Sequence, residues 1–73
     1  MIVQAAIAHN IRDQIKKRGL KQKYIAQLAG FDEQTFSNML NGRKYILAEY
    51  IPIIAEALGT TPNALYYGDE QRL

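Results

Sequence analysis

Glycine falls at positions 19, 30, 42, 59 and 68, and each one closes a run of apolar residues at helical spacing. That pattern permits short helices joined by tight turns. Val3, Ile7, Ile11 and Ile15 recur every four residues, with the strong helix formers Ala5, Ala6 and Ala8 among them. Lys16-Lys17-Arg18 then places positive charge in a last turn, ahead of Gly19. A first helix is therefore predicted over about Ile2–Arg18. A second spans Lys21–Ala29, with Ile25, Leu28 and Ala29 on its inner side. A third spans Asp32–Leu40; Asp32 caps it, Phe36, Met39 and Leu40 face inward, and Asn41-Gly42 stops it. Arg43–Leu47 reads as a loop. A fourth helix ends at Gly59 and buries Ile51, Ile54, Ala55 and Leu58. Proline is tolerated only in a first turn, so Pro52 delays the regular part to as late as Glu49 or Tyr50, after a looser turn. Thr60-Thr61-Pro62 opens a last short helix, Pro62–Tyr67. Strand alternation is absent. The expected architecture is all-α with five helices, a domain over 1–68 and a short tail over 69–73.

At 73 residues the chain supports one small core, which is marginal unless its helices pack compactly or a partner helps. The hydrophobic content of 48% belongs to a folded domain. Cysteine is missing, which removes disulfides, thiolate metal sites and cysteine nucleophiles and suits a reducing cytosol. No apolar run is long enough to cross a membrane. The first residues carry no basic segment ahead of their apolar stretch, so a signal peptide is not expected and a cytoplasmic location is. Net charge is only +2, but it is unevenly spread. Residues 1–44 hold eight basic groups against three acidic ones, whereas 45–73 hold one against four. A basic half joined to an acidic half suits one face built to meet an anion.

The stretch Gln22–Asn41, QKYIAQLAGFDEQTFSNMLN, carries the functional signal. Two short helices crossing steeply over a tight turn need a residue that tolerates positive φ, and Gly30 supplies it. The close crossing needs a small side chain, and Ala26 supplies it. Ile25, Ala29, Phe31, Phe36 and Met39 fill the inside angle. Glu33, Gln34, Ser37 and Asn38 then form a polar outer face at helical spacing.

This pattern resembles the helix-turn-helix of Cro/repressor-type (Xre) regulators of phages and bacteria, similar to the lambda-like repressors. That family opens its second helix with Gln, places Ala four residues later and Gly at the turn, and closes the recognition helix with Asn-Gly. Gln22, Ala26, Gly30, Asn41 and Gly42 match. Ile54-Ala55-Glu56-Ala57-Leu58-Gly59 is similar to the family's fourth helix, and Leu65-Tyr66-Tyr67-Gly68 to its fifth. The resemblance covers about Ile11 to Gly68, in register throughout.

The resemblance implies a lambda-repressor-like fold and a role for each matching position. Glu33, Gln34 and Asn38 fall where the family reads bases, with Ser37 beside them. An amide side chain can pair bidentately with adenine N6/N7, which suits Gln34 and Asn38. Gln22 falls at a phosphate clamp on the second helix's N-terminus. Asn41 and the backbone and side chains of Arg43 and Lys44 fall at a second clamp, with Lys21, Lys23 and Tyr45 as further phosphate candidates. The implied partner is double-stranded DNA with a pseudo-palindromic operator, bound by a homodimer. Two departures stand out. Glu33 replaces the Gln of many relatives; it either accepts a hydrogen bond from cytosine N4 or supports Asp32 at the helix start, and acids favour a first turn in any case. Ile15 and Leu40 occupy the positions of a buried Arg–Glu pair found in many repressors. Losing both charges together leaves neither unpaired, so Ile15 is expected to pack on Leu40.

Other chemistry finds little support. His9 is the sole histidine and has no convergent metal-ligating partners. Ser37 has no paired base. The acids are too scattered for a dyad. No enzyme activity, metal, cofactor or small-molecule ligand is expected. Tyr66 and Tyr67 are expected to finish the core or sit at its rim; in the sharper alternative the fifth helix, through Leu65 and one of these rings, forms a dimer contact, for which the apolar Met1–Val3 is a further candidate. The competing functional class is a protein-interaction module of the same fold, antitoxin-like or antirepressor-like, that does not bind DNA; modest net charge and Glu33 favour it.

Overall fold

The computed structural model describes residues 4–68. Met1–Val3 and the tail 69–73 lie outside the described residues, and with them one of the proposed dimer contacts. Five α-helices follow in order: α1 (Gln4–Lys17), α2 (Gln22–Ala29), α3 (Glu33–Leu40), α4 (Ile51–Leu58) and α5 (Pro62–Tyr67). A single 3-10 turn, Ala48–Tyr50, precedes α4. It is the looser turn that Pro52 demands, because Pro52 then sits in the first turn of α4. The described residues contain no strand, and none of their helices is long and apolar enough to cross a membrane.

The ends of the helices follow local chemistry. Asp32 Oδ2 accepts from the amides of Gln34 and Thr35 at 3.1 and 3.2 Å, which satisfies two of the donors that the start of α3 leaves open. Thr61 Oγ1 caps α5 by accepting from the Ala64 amide at 3.3 Å. Gly30 closes α2 at φ 84°, and the next amide, Phe31 N–H, returns to the Ala26 carbonyl at 2.8 Å. That left-handed residue with its backward hydrogen bond turns the chain from α2 into α3.

The core lies inside the angle of these helices. α1 packs against α5 and α3, and α2 against α3 and α4. Ile11, Ile25, Phe36, Ile54 and Leu65 are fully enclosed there. Ala26 is buried at the α2 crossing, as a close approach of two helices requires. Phe31 stacks on Phe36 with centroids 5.9 Å apart and meets Tyr50 edge-on at 4.9 Å. The turn residue thereby ties α3 to the segment before α4.

Three features differ from the sequence expectation. Leu28 is 54% exposed, not inward. At about 100° per residue, Ile25, Ala26 and Ala29 share one arc of α2, and Leu28 projects about 60° beyond its edge. Leu65 is enclosed by its own chain and has no surface to offer a second copy. Gln14 is 1% exposed among apolar neighbours, with its Oε1 accepting from Arg18 Nε at 2.7 Å. A buried amide with a partner avoids the penalty of an unsatisfied one. Ile15 and Leu40 belong to the same core cluster. A polar tie also joins α1 to the end of α3: Arg12 Nη1 donates to the Leu40 carbonyl.

Candidate nucleic-acid interface

The candidate site is built on α3 and on the strap that follows it. Phe36, Met39 and Leu40 hold the inner side of α3 in the core. Their burial leaves Gln34, Ser37 and Asn38 on the opposite side, open to solvent or half-buried. Gln34 Nε2 donates to Asn38 Oδ1 at 3.1 Å. Asn41 Nδ2 donates to Ser37 Oγ at 3.3 Å. These two i,i+4 bonds run side by side along the outer face and limit the rotamers of four side chains. Glu33 is the first helical residue, exposed, in the acid-favouring first turn.

Gly42, at φ 80°, turns the chain away from α3. The amides of Arg43 and Lys44 then both return to the Asn38 carbonyl, at 2.8 and 3.2 Å. Those two amides are therefore engaged within the protein, which corrects the expectation that the backbone of Arg43 and Lys44 forms part of the clamp: of the two groups, the side chains are the ones left to reach outward. Arg43, Lys44 and Tyr45 are all exposed, and Tyr45, at 73%, is the most exposed large hydrophobic among the described residues. Ile46 then re-enters the core at 2% exposure.

Six expected residues thus form one connected patch: Gln34, Ser37, Asn38, Asn41, Arg43 and Lys44. Tyr45 continues it. Lys21, Gln22 and Lys23 stand at the start of α2. Lys21 provides no side-chain cap there, so the first amides of α2 remain without one. Lys21 and Lys23 are exposed and Gln22 half-buried.

Two residues near the patch escape sequence reasoning. Arg12 holds the carbonyl end of α3, where a cation also complements the helix dipole. Gln4 grips the strap: its Nε2 donates to the Ile46 carbonyl at 3.0 Å, and its Oε1 accepts from the Ile46 amide at 2.6 Å. Main-chain partners leave no side-chain pattern, so nothing in the sequence marks either residue. Among the described residues, no cluster of His, Asp or Glu could hold a metal ion.

The Gly30 turn and the burial of Phe36, Met39 and Leu40 together give α3 the arrangement of a helix-turn-helix domain, one side of a short helix anchored and a polar side exposed. The Helix-turn-helix family model matches residues 11–65, and the chain belongs to this family, in its Cro/repressor-type form. No curated protein matches the chain in sequence. Solved structures share its fold. The restriction-modification controller protein C.AhdI from Aeromonas hydrophila superposes with a TM-score of 0.79 at 24% identity, covering 86% of this chain and 96% of that one. The hypothetical transcription factor NHTF from Neisseria gives 0.82 at 27% identity, covering 92% and 77%. The DNA-binding domain of the P22 C2 repressor gives 0.81 at 19% identity, covering 99% and 95%.

Proposed function

We propose that this chain is a sequence-specific DNA-binding transcriptional regulator that inserts α3 into the major groove. The observation that carries the reading is the coherent outer surface of α3. Amide side chains that can read base edges are paired along the helix, and the exposed cations Arg43 and Lys44 are stitched to the same helix through Asn38. Gln34 and Asn38, with Ser37 beside them, meet base edges. Glu33 either reads a cytosine or supports the helix start. Lys21, Gln22, Lys23, Asn41, Arg43, Lys44 and Tyr45 contact phosphates, which position the helix without specifying sequence.

Residues 1–68 act as the DNA-binding domain, in the cytoplasm of a bacterial or phage-infected cell. A two-fold pair of chains reads a pseudo-palindromic operator with half-sites about 34 Å apart. Repression follows where that operator overlaps a promoter. The family membership and the fold shared with C.AhdI, NHTF and the P22 C2 repressor support this reading.

The test is selection of bound sites from random duplex DNA. A recovered motif with two-fold symmetry is expected. A pool that stays unenriched, together with no mobility shift at low salt, would favour the protein-interaction module instead.

A further inference from the structure

The strap between Asn41 and Ile46 is short, exposed and basic, and hydrogen bonds hold it at both ends. At its start, the amides of Arg43 and Lys44 return to Asn38. Beside it, an open groove separates it from α1, lined by Ala5, Ala8, Arg12, Leu40, Asn41 and Gly42. At its far end, Gln4 in the first turn of α1 exchanges two hydrogen bonds with the backbone of Ile46, 42 residues away. One amide side chain thus satisfies both polar groups of one buried peptide residue, as a neighbouring strand would. The Ile46 side chain is enclosed in the core, so side chain and main chain of Ile46 are fixed together. Gln4 also lies outside the residues 11–65 that the family model matches.

We propose that Gln4 is a positioning residue for DNA binding: it fixes the far end of the strap so that the Arg43 and Lys44 side chains stand at phosphate height beside α3. This rests on the duplex-binding reading above. Gln4 itself touches no DNA. It acts through the strap, and the strap's contacts are with phosphates, so its effect is on affinity for every sequence and on salt dependence.

The test compares the full chain with Gln4→Ala and with Gln4→Met, which keeps the side-chain volume but makes neither hydrogen bond. Thr61→Ala, which removes a cap on α5, serves as a destabilised control. Each is titrated with a random-sequence 30-base-pair duplex across a salt series, well below its melting temperature. Both Gln4 variants are expected to bind about 10-fold more weakly, with a log K against log[salt] slope shallower by about 1–2. Combining Gln4→Ala with Arg43→Ala and Lys44→Ala should add little to the loss from the latter pair. Thr61→Ala should keep the wild-type slope. Wild-type affinity and slope in the Gln4 variants, with wild-type protein binding normally, would overturn the positioning role alone. Absence of duplex binding by the wild type would overturn the functional reading and this one with it. Failure of both Gln4 variants to fold in saturating duplex would also overturn it, since Gln4 would then determine the fold and not the strap's position.

Discussion

Gln34 and Asn38, one turn apart on α3, are joined by a 3.1 Å hydrogen bond from Nε2 to Oδ1. The two amides therefore present one composite edge. Gln34 Oε1 and a second Nε2 hydrogen, with the Asn38 amide hydrogens, are not used by that bond and are the groups that the proposed reading assigns to a base. The bond restricts both side chains in the free protein, so under the proposed reading part of the rotamer entropy of recognition is spent before DNA binds.

Because they act as a unit, their truncations should not add. Gln34→Ala and Asn38→Ala are each expected to cost roughly 1–3 kcal/mol on the selected site and to relax one base position. The double variant should lose less than the sum, with a coupling of about 0.5 kcal/mol or more. A double-mutant cycle by fluorescence anisotropy measures it; strict additivity would mean that the pair dissolves on DNA.

Arg43→Ala and Lys44→Ala should weaken binding to all duplexes alike. Each should flatten the salt slope by about 1 without changing the ranking of sites. Binding to a panel of mismatched sites across a salt series checks this. A change of ranking would assign base contacts to the strap.

The start of α3 depends on Asp32 and the turn before it on Gly30. Asp32→Ala removes the acceptor for two amides and should cost about 1 kcal/mol of stability, with Asp32→Asn retaining most of it. Gly30→Ala meets open space, with nothing within 4 Å of an added Cβ. Its cost is then conformational only, about 1–2 kcal/mol for a left-handed alanine. Urea unfolding followed by circular dichroism measures both, and a neutral Gly30→Ala would show that the turn relaxes.

Arg12→Met keeps the aliphatic stem but leaves the Leu40 carbonyl without its donor. A loss of roughly 1 kcal/mol is expected, because the freed carbonyl is only partly shielded from water. Site ranking should be unchanged, since Arg12 acts on the end of α3 and not on its outer face. Chemical denaturation and the same site panel test the two halves of this statement.

The sequence specifies the helix order well because its start and stop signals are local. Asp32, Thr61, Pro52, Gly30 and Gly59 each act within a few residues of where they stand. The residues of the α3–strap patch are also legible, through the apolar spacing of Phe36, Met39 and Leu40, which leaves only one side for Gln34 and Asn38. The inward set of α2 is less so. Eight residues make barely two turns, and Ile25, Leu28 and Ala29 fit an apolar stripe as well as Ile25, Ala26 and Ala29 do. The packing of α2 between α3 and α4 selects the second set. Gln14 could have been found: its spacing from Ile7 and Ile11 places it on the buried stripe of α1. The grips of Gln4 on Ile46 and of Arg12 on Leu40 could not, because they end on main-chain atoms 42 and 28 residues away.

Duplex binding by α3 is tested most directly by an electrophoretic mobility shift on the selected operator, run from low to physiological salt, for wild type and for Gln34→Ala/Asn38→Ala. Wild-type protein should bind the operator far more tightly than random duplex, and neutralising about 4–6 phosphates per chain should make that binding fall steeply with salt. The double variant should keep the random-duplex affinity and salt slope while losing the preference for the operator. A double variant that retains full operator preference would contradict the assignment of α3 as the reading helix.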